Sequence, residues 1–376
     1  VTLTGSPLLV LLLVLTVAAI AAVVVFWGGL AGSGWPRLVA RIGAVIGSNL
    51  LVLLVAAVIL NDQYEFYVDW GDLFSSSPPV QQHQFAGGTS KDAVATGVSP
   101  ADRPHYEASP LPAGVVGGIP FWLTVAGVRS GVTARVLVVL PDTYFSSGFT
   151  GRYYPVIEAF HGYPGSPRSW TDSVLDLPGQ VRHLVLAHEM RESIIIVPEI
   201  LLPNGYDGEC VNLPNSAQIE TWIAVDVPAW VDATFRAVPA RDSWATIGFS
   251  MGAYCSALAA IKHPDVFSAG IAIAGYYRPL FPPGPYARDA ALVAANDLVA
   301  AVRNNPPPIA LWISTSARDK LSYQSTESLL ASTRAPTSVT SITQKRVGHR
   351  VTAWVPLVSD SLIWLGRNVS GFAPIN

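Results

Sequence analysis

Trp244-Ala245-Thr246-Ile247-Gly248-Phe249-Ser250-Met251-Gly252, followed by the alanine-rich run to His263 and a stop at Pro264, is the stretch whose reading decides the fold. Trp244–Phe249 reads as a short buried strand, and Met251 to His263 as a helix ended by the proline. Between them lies G-x-S-x-G. A serine on a tight strand-to-helix turn has its hydroxyl lifted into a pocket, and the flanking glycines avoid clashes that any larger residue would make there. The helix that starts immediately afterwards favours negative charge developing near its N-terminus. A serine turn with no chemistry is the competing reading, and the strand and helix on either side weigh against it.

A serine nucleophile needs a base, and the base needs an acid to orient it. In this architecture both follow the serine, the acid first. Asp319 follows Leu311-Trp312-Ile313-Ser314-Thr315, where a strand gives way to a loop at the ligand-binding edge of a sheet. His349, in Val347-Gly348-His349-Arg350, is the candidate base. His161 precedes the serine, His263 stands at a helix end, and His183 and His188 belong to a surface helix, so structural roles are expected for all four. Asp289 and Asp297 are weak rivals for the acid, and Glu327 is the nearest rival. His161-Gly162-Tyr163-Pro164-Gly165 follows another strand, and a turn there can aim a main-chain N–H at the same point as that of Met251. Tyr163 and Met251 are the candidate oxyanion donors, through their backbones. The glycines of that turn also serve simply to reverse the chain.

Around this centre, Phe121–Val125, Val132–Leu140, Tyr154–Phe160 and Ser193–Pro198 read as strands, as do Ala269–Ala274 and Ile309–Thr315. Ile219, Trp222, Ile223, Val227, Trp230, Val231 and Phe235 recur at helical spacing, with Pro228 expected to bend or interrupt the helix. Strands alternating with helices predict an α/β fold, a mostly parallel central sheet covered on both faces. Gly275–Pro285, with Tyr276 and Tyr277, reads either as a substrate wall or as aromatic packing against the sheet.

Thr124–Gly131, Val138-Val139-Leu140-Pro141-Asp142, Pro155 through Gly165, the Gly248–Gly252 turn, His263-Pro264-Asp265-Val266-Phe267, Asp319 and Gly348-His349 together resemble the putative esterase family, which includes esterase-D-like enzymes and antigen-85-type mycolyltransferases. The resemblance covers about residues 120 to 365. It implies an α/β-hydrolase three-layer sandwich, a triad of Ser250, Asp319 and His349, and either ester hydrolysis or acyl transfer to an alcohol. The mycolyltransferase pattern has Asp-Gly where this chain has His161-Gly162, and Glu where it has Asp319, so the esterase branch is the better match.

The remainder of the chain has a different character. Of 376 residues, 50% are apolar and only 13% charged, the net charge is −3, and the mean hydropathy is +0.38. Such a balance argues against a nucleic-acid binder held by phosphate contacts and for a part that lives in lipid. Residues 8–30 and 42–60 carry no charge and are each long enough to span the hydrocarbon layer. A signal peptide is the alternative for the first run, but it lacks a basic leader and a clear cleavage site. Arg37 and Arg41 lie between the runs, whereas Asp62, Glu65 and Asp69 follow the second. The connection is therefore expected inside, with the large C-terminal part extracytoplasmic.

Residues 1–60 are thus expected to be a two-helix anchor, 61–112 a polar tether, and 113–376 the hydrolase domain. Ser75–Pro79 and Gln81–Gln84 show no apolar period, hence the tether, with an active-site cap as the alternative. Of the two cysteines, Cys210 and Cys255, neither has a C-x-x-C partner; in an exported domain they suit a disulfide, otherwise two buried thiols. The expected function is a membrane-anchored serine esterase acting on lipid or cell-envelope esters, with no metal or organic cofactor. Acyl transfer, a non-catalytic envelope-binding scaffold and a peptidase are the alternatives.

Overall fold

Pro7, placed in the first turn where a missing N–H costs nothing, starts an uncharged helix, α1 (Ser6–Phe26), which continues as a 3-10 turn, Trp27–Leu30. α2 (Trp35–Tyr64) again has proline in its first turn. These helices belong to the first of two units in the computed structural model, which describes residues 3–30, 32–74, 81–99, 102–201 and 205–375. That unit comprises residues 1–80 with the short segments 317–319 and 345–350; the second comprises the rest.

In the first unit, the two apolar runs form helices somewhat longer than the uncharged stretches themselves, and both are long and apolar enough to cross a membrane. Their few polar side chains turn back on their own backbone. Thr16 Oγ1 donates to Leu12 O at 2.7 Å, and Asn49 Nδ2 donates to Val45 O at 2.8 Å, so neither group demands an outside partner. Gly5 N–H donates to Asp62 Oδ1 at 2.7 Å, tying the start of α1 to the end of α2. α2 stops at Glu65, whose φ of 52° is left-handed and whose N–H returns to Asn61 O. Asn61 then holds the exit: its side chain both donates to Tyr67 O (2.9 Å) and accepts from Tyr67 N–H (2.8 Å). A five-residue helix, α3 (Trp70–Phe74), follows, with Asp72 N–H bonded to Asp69 Oδ1 and Val68 N–H to Asp72 Oδ2.

The second unit is built on one nine-stranded sheet in the order β1-β9-β8-β7-β6-β4-β5-β3-β2. The strands are β1 (Gln81–Gly87), β2 (Phe121–Ala126), β3 (Thr133–Val139), β4 (Val156–Phe160), β5 (Ile194–Pro198), β6 (Trp244–Phe249), β7 (Ala269–Ile273), β8 (Ala310–Ser316) and β9 (Ser338–Gln344). Six neighbouring strands, β9-β8-β7-β6-β4-β5, run parallel; β1 pairs with β9, and β2 and β3 with their neighbours, antiparallel. Every residue of β4 to β8 is buried, as a parallel sheet covered on both faces requires. Alternate residues feed two cores. Val156 and Phe160 join one with Trp222, Trp230 and Tyr254, while Ile157 and Ala159 join the other with Trp170, Trp354 and Leu362.

Helices α4 (Ser90–Ala95), α5 (Leu177–Leu186), α6 (Ile219–Thr221), α7 (Val227–Thr234), α8 (Met251–Lys262), α9 (Ala290–Ala295), α10 (Leu298–Asn304), α11 (Tyr323–Ser332) and α12 (Val351–Asn368) complete the unit. Pro228 does interrupt the helix expected around it. The turn Trp222–Asp226 widens to π geometry, with Val227 N–H reaching Trp222 O, because the proline offers no N–H to the turn before it. Asp226 on that turn is buried and accepts from Arg129 N–H, Ser130 N–H and Tyr106 Oη.

The segment read as a tether to residue 112 is more structured than its composition indicates. Gln81–Gly87 is the edge strand β1, α4 buries Ala93 and Val94, and Trp230 Nε1 donates to Ser109 Oγ at 2.8 Å. An edge strand pairs on one side only, so a polar sequence without apolar alternation can occupy it. Ser75–Pro79 lies outside the described residues.

Candidate active site

β6 delivers Ser250 at its C-terminal end, and α8 begins at the next residue. Ser250 has φ 56° and ψ −123°, a conformation L-residues avoid and one costing on the order of 1–3 kcal/mol unless its surroundings enforce it. They do. Ser250 N–H donates to Ile273 O at the end of β7 (3.0 Å), and Ser250 O accepts from Ala253 N–H (3.0 Å). A Cβ on Gly248 would stand 1.8 Å from Gly252 O, and one on Gly252 2.1 Å from Phe160 O. Both glycines are therefore required by backbone approach. Met251, 2% exposed, opens α8, where the N–H groups have no acceptor within the helix.

β4 lies directly beside β6, in parallel register from Val156↔Trp244 to Phe160↔Gly248, so the turn following β4 leaves the same sheet edge as the serine turn. In it, His161 is buried and its Nδ1 donates to Gly162 O at 2.8 Å. Burial lowers its pKa, so it is a neutral strut that folds the turn. A Cβ on Gly165 would meet Gly162 O at 2.5 Å, which keeps the turn tight. Tyr163, the other expected oxyanion donor, sits in this turn before a cis bond to Pro164, with its ring half-exposed.

Asp319 comes three residues after β8, and His349 five residues after β9. Within the first unit they meet: His349 Nδ1 is 2.8 Å from Asp319 Oδ2, and the carboxylate side chain is 2% exposed. With the Nδ1 proton donated to the carboxylate, the neutral ring carries its lone pair on Nε2, the form a general base requires. Several of the rivals have other employment. Asp289 and Asp297 cap α9 and α10, and His263 pairs with Glu220 at 3.1 Å beside Lys262. His183 lies in α5 and His188 just past its end.

Cys210 and Cys255 form a disulfide, which fastens the loop before Val211 to the second turn of α8. Next to it, Tyr276 Oη donates to both oxygens of Glu209 (2.7 and 2.8 Å) and stacks on Tyr254. Burial, followed by the nearby Asp207 charge, pushes the Glu209 carboxyl well above its ordinary range. Tyr276 and Tyr277 are buried and pack inward.

Sequence reasoning missed the surroundings of His349. Gly348 N–H donates to Asp72 Oδ2 (3.1 Å), His349 N–H to Glu65 O (2.8 Å), and Arg350 Nη1 to Phe66 O (2.9 Å). Arg350 also forms a two-pronged pair with Asp72 at 2.7 and 2.8 Å and lies over the Tyr67 ring at 4.6 Å. The excess of acidic residues after α2 was the available signal, but it was used for membrane orientation alone.

Comparison with solved structures gives the same fold. A ferulic acid esterase aligns with a TM-score of 0.56 at 18% identity, covering 66% of this chain and 97% of its own. An S-formylglutathione hydrolase from Agrobacterium tumefaciens aligns at 0.54 and 15%, covering 68% and 97%. A fluorophosphonate-binding serine hydrolase of Staphylococcus aureus gives 0.53 and 16%, covering 66% and 98%. Esterase Rv1288 of Mycobacterium tuberculosis is 29% identical over 140 residues, 37% of this chain but only 28% of that protein. The sheet order and these neighbours make the second unit an α/β-hydrolase fold. The model of the family described as "Putative esterase" matches residues 129–356, well over half the chain, and the chain belongs to that family.

Proposed function

We propose that the protein is a serine carboxylic ester hydrolase held at a membrane, with Ser250 as nucleophile, His349 as base, Asp319 as the acid that orients it, and the Tyr163 and Met251 N–H groups as oxyanion donors. The observation that carries this reading is Ser250: a non-glycine residue kept at φ 56° by two glycines that tolerate no Cβ. Strain so firmly enforced at one hydroxyl points to a function for it. The His349–Asp319 hydrogen bond and its position after β8 and β9 support the other assignments.

In the proposed reaction, His349 Nε2 takes the Ser250 proton as Oγ attacks the ester carbonyl, and the two N–H groups stabilise the oxyanion. Collapse breaks the carbonyl carbon–alkoxy bond, and the proton passes from His349 to the leaving alcohol. Water, deprotonated by His349, then attacks the acyl-serine and releases acid and free Ser250.

α1 and α2 serve in this proposal as membrane spans. Bare apolar surface on Val14, Val17, Val24, Ile46 and Leu53 supports that role, Arg37 and Arg41 support a cytoplasmic connection, and the disulfide suits an extracytoplasmic hydrolase domain. Such a location favours esters of lipids or the cell envelope as substrates. The test is mass spectrometry of wild-type and Ser250→Ala membranes given phospholipid, glycolipid and short-chain esters, with and without acceptor sugars. A free acid released only by the wild type is the expected result. A Ser250-dependent acylated sugar would make the enzyme a transferase, and equal turnover by both proteins would overturn the reading.

A further inference from the structure

The loop carrying His349 is held by the chain that leaves α2. Asp72 is the centre of the contact: its side chain is 3% exposed and accepts four hydrogen bonds, from Val68 N–H, Gly348 N–H and the two Arg350 nitrogens. The donors therefore come from both sides, one from the residue 4 positions before it and three from residues 276 and 278 positions after it. Main-chain carbonyls extend the grip, with Glu65 O receiving the His349 N–H itself and Phe66 O receiving Arg350. The approach is as close as backbones permit. A Cβ on Gly348 would fall 2.2 Å from Phe66 O and 2.4 Å from Glu65 O, so only glycine can precede the histidine.

This arrangement exceeds what a tether needs. A surface ion pair contributes little and a flexible linker needs no contact at all. Here a bidentate, desolvated arginine–carboxylate pair with low freedom flanks a histidine, and the histidine's own N–H is engaged by the same segment. Such a fit fixes the rotation of the loop backbone, and with it the direction of the imidazole on which proton transfer from the serine depends.

We propose that Asp72, with Arg350, is a positioning residue for the base, so that residues 65–72 at the exit of α2 are part of the catalytic apparatus. The geometry then gives the segment leaving α2 a second task besides attachment. From Asn61 in the last turn of α2, hydrogen bonds run to Tyr67, and the segment that Tyr67 belongs to runs on to Asp72 and Gly348. The inference rests on the proposed triad.

The test uses the full chain in detergent and p-nitrophenyl acetate as a soluble ester, which removes membrane access from the comparison. Asp72→Ala and Arg350→Ala are expected to lower kcat by roughly 100-fold with KM changed by less than about 2-fold, the size of effect that a base displaced by about 1 Å produces. Asp72→Glu and Arg350→Lys, which keep the charges, guard against unfolding and are expected to lie between wild type and the alanine variants. The decisive readout is a double-mutant cycle with His349→Ala. If Asp72 acts through the histidine, Asp72→Ala changes the residual turnover of His349→Ala by less than about 2-fold. A full additional loss in that background, or an unchanged kcat in all four single variants, would overturn the inference while leaving the triad intact. Wild-type turnover in His349→Ala alone would instead overturn the triad reading on which it rests.

Discussion

The turn that carries Ser250 and the loop that carries His349 differ in how much of their hold comes from side chains. The serine turn is held by main chain against main chain: Ser250 N–H on Ile273 O, and two glycines against carbonyl oxygens of their neighbours. Its partners are β4, β7 and α8, among the most buried elements of the sheet. The histidine loop adds side chains to its main-chain contacts with Glu65 O and Phe66 O: Asp319 on one hand and the Asp72–Arg350 pair on the other, from parts of the chain 30 and 276 residues or more away. The difference separates two kinds of failure. Damage to the first should appear as lost folding, because the turn cannot move without the sheet; damage to the second should appear as lost turnover in a folded protein.

The sharpest test of that separation is Asp319→Asn. The amide keeps the shape but invites the wrong imidazole tautomer, and kcat should fall by about 10,000-fold, as loss of the orienting carboxylate does in such triads. Its melting temperature, measured by circular dichroism, should stay within a few degrees of wild type. A stability loss as large as the activity loss would erase the distinction. Gly252→Ala is the converse experiment. Its Cβ would be driven to 2.1 Å from Phe160 O and 2.6 Å from His161 O, both main-chain atoms that cannot swing aside. Destabilisation of roughly 4 kcal/mol is expected by denaturant titration, with activity lost in step with folded protein. A well-folded but inactive Gly252→Ala would show that the serine turn is softer than its packing implies.

Reduction of the Cys210–Cys255 bond probes the same side of the comparison more gently. The bond closes a separation of 45 residues onto α8, and removing it should cost roughly 3 kcal/mol. Since it acts on the helix after Ser250 and not on the turn itself, kcat of the fraction that remains folded should change by less than about threefold. Double Cys210→Ala, Cys255→Ala protein, melted and assayed beside the wild type, gives the answer without reductant. A large kcat loss at unchanged stability would mean that the bond aligns the serine and does more than hold the fold.

The two regions also differ in how far a linear sequence discloses them. G-x-S-x-G between an apolar run and an alanine-rich run is local, so its turn, the strand and the helix were all legible. The disulfide was an open alternative because its partners lie 45 positions apart, and the buried Tyr276–Glu209 pair, 67 positions apart, was not read at all. β9 escaped notice altogether: Ser338-Val339-Thr340-Ser341-Ile342-Thr343-Gln344 is polar in composition, yet all but Thr340 are buried, with β1 and β8 pairing along its two edges. β1 was hidden for the related reason that an outermost strand needs no apolar alternation. The clamp on His349 was the least legible part. Asp69 and Asp72 look like ordinary surface acids after a membrane helix, and nothing local tells Asp72 that its partner is Arg350.

The loop bonded to α8 supplies the smallest and most easily titrated effect on the serine side. Asp207 is buried, and desolvation raises its pKa from 3.8 to about 6, partly offset by the Glu209 N–H that it accepts at 2.8 Å. A carboxyl raised in the fold binds its proton more tightly there than in the unfolded chain, so its contribution is present below pH 3.8 and is lost as pH climbs towards 6. Above that the cost is complete and constant. Stability should therefore decline between about pH 4 and 6, and Asp207→Asn, which preserves the hydrogen-bond acceptor, should flatten this decline and gain up to roughly 2 kcal/mol at pH 7. Glu209 is raised first by burial and then by the Asp207 charge beside it, so the difference between the two melting curves reports Asp207 together with the relief its neutralisation gives Glu209. Because the disulfide joins this loop to the helix behind Ser250, the gain should be visible in melting temperature with kcat almost unchanged. Parallel curves for the two proteins across that range would show that Asp207 keeps its charge in the fold, and that the loop is wetter than its burial suggests.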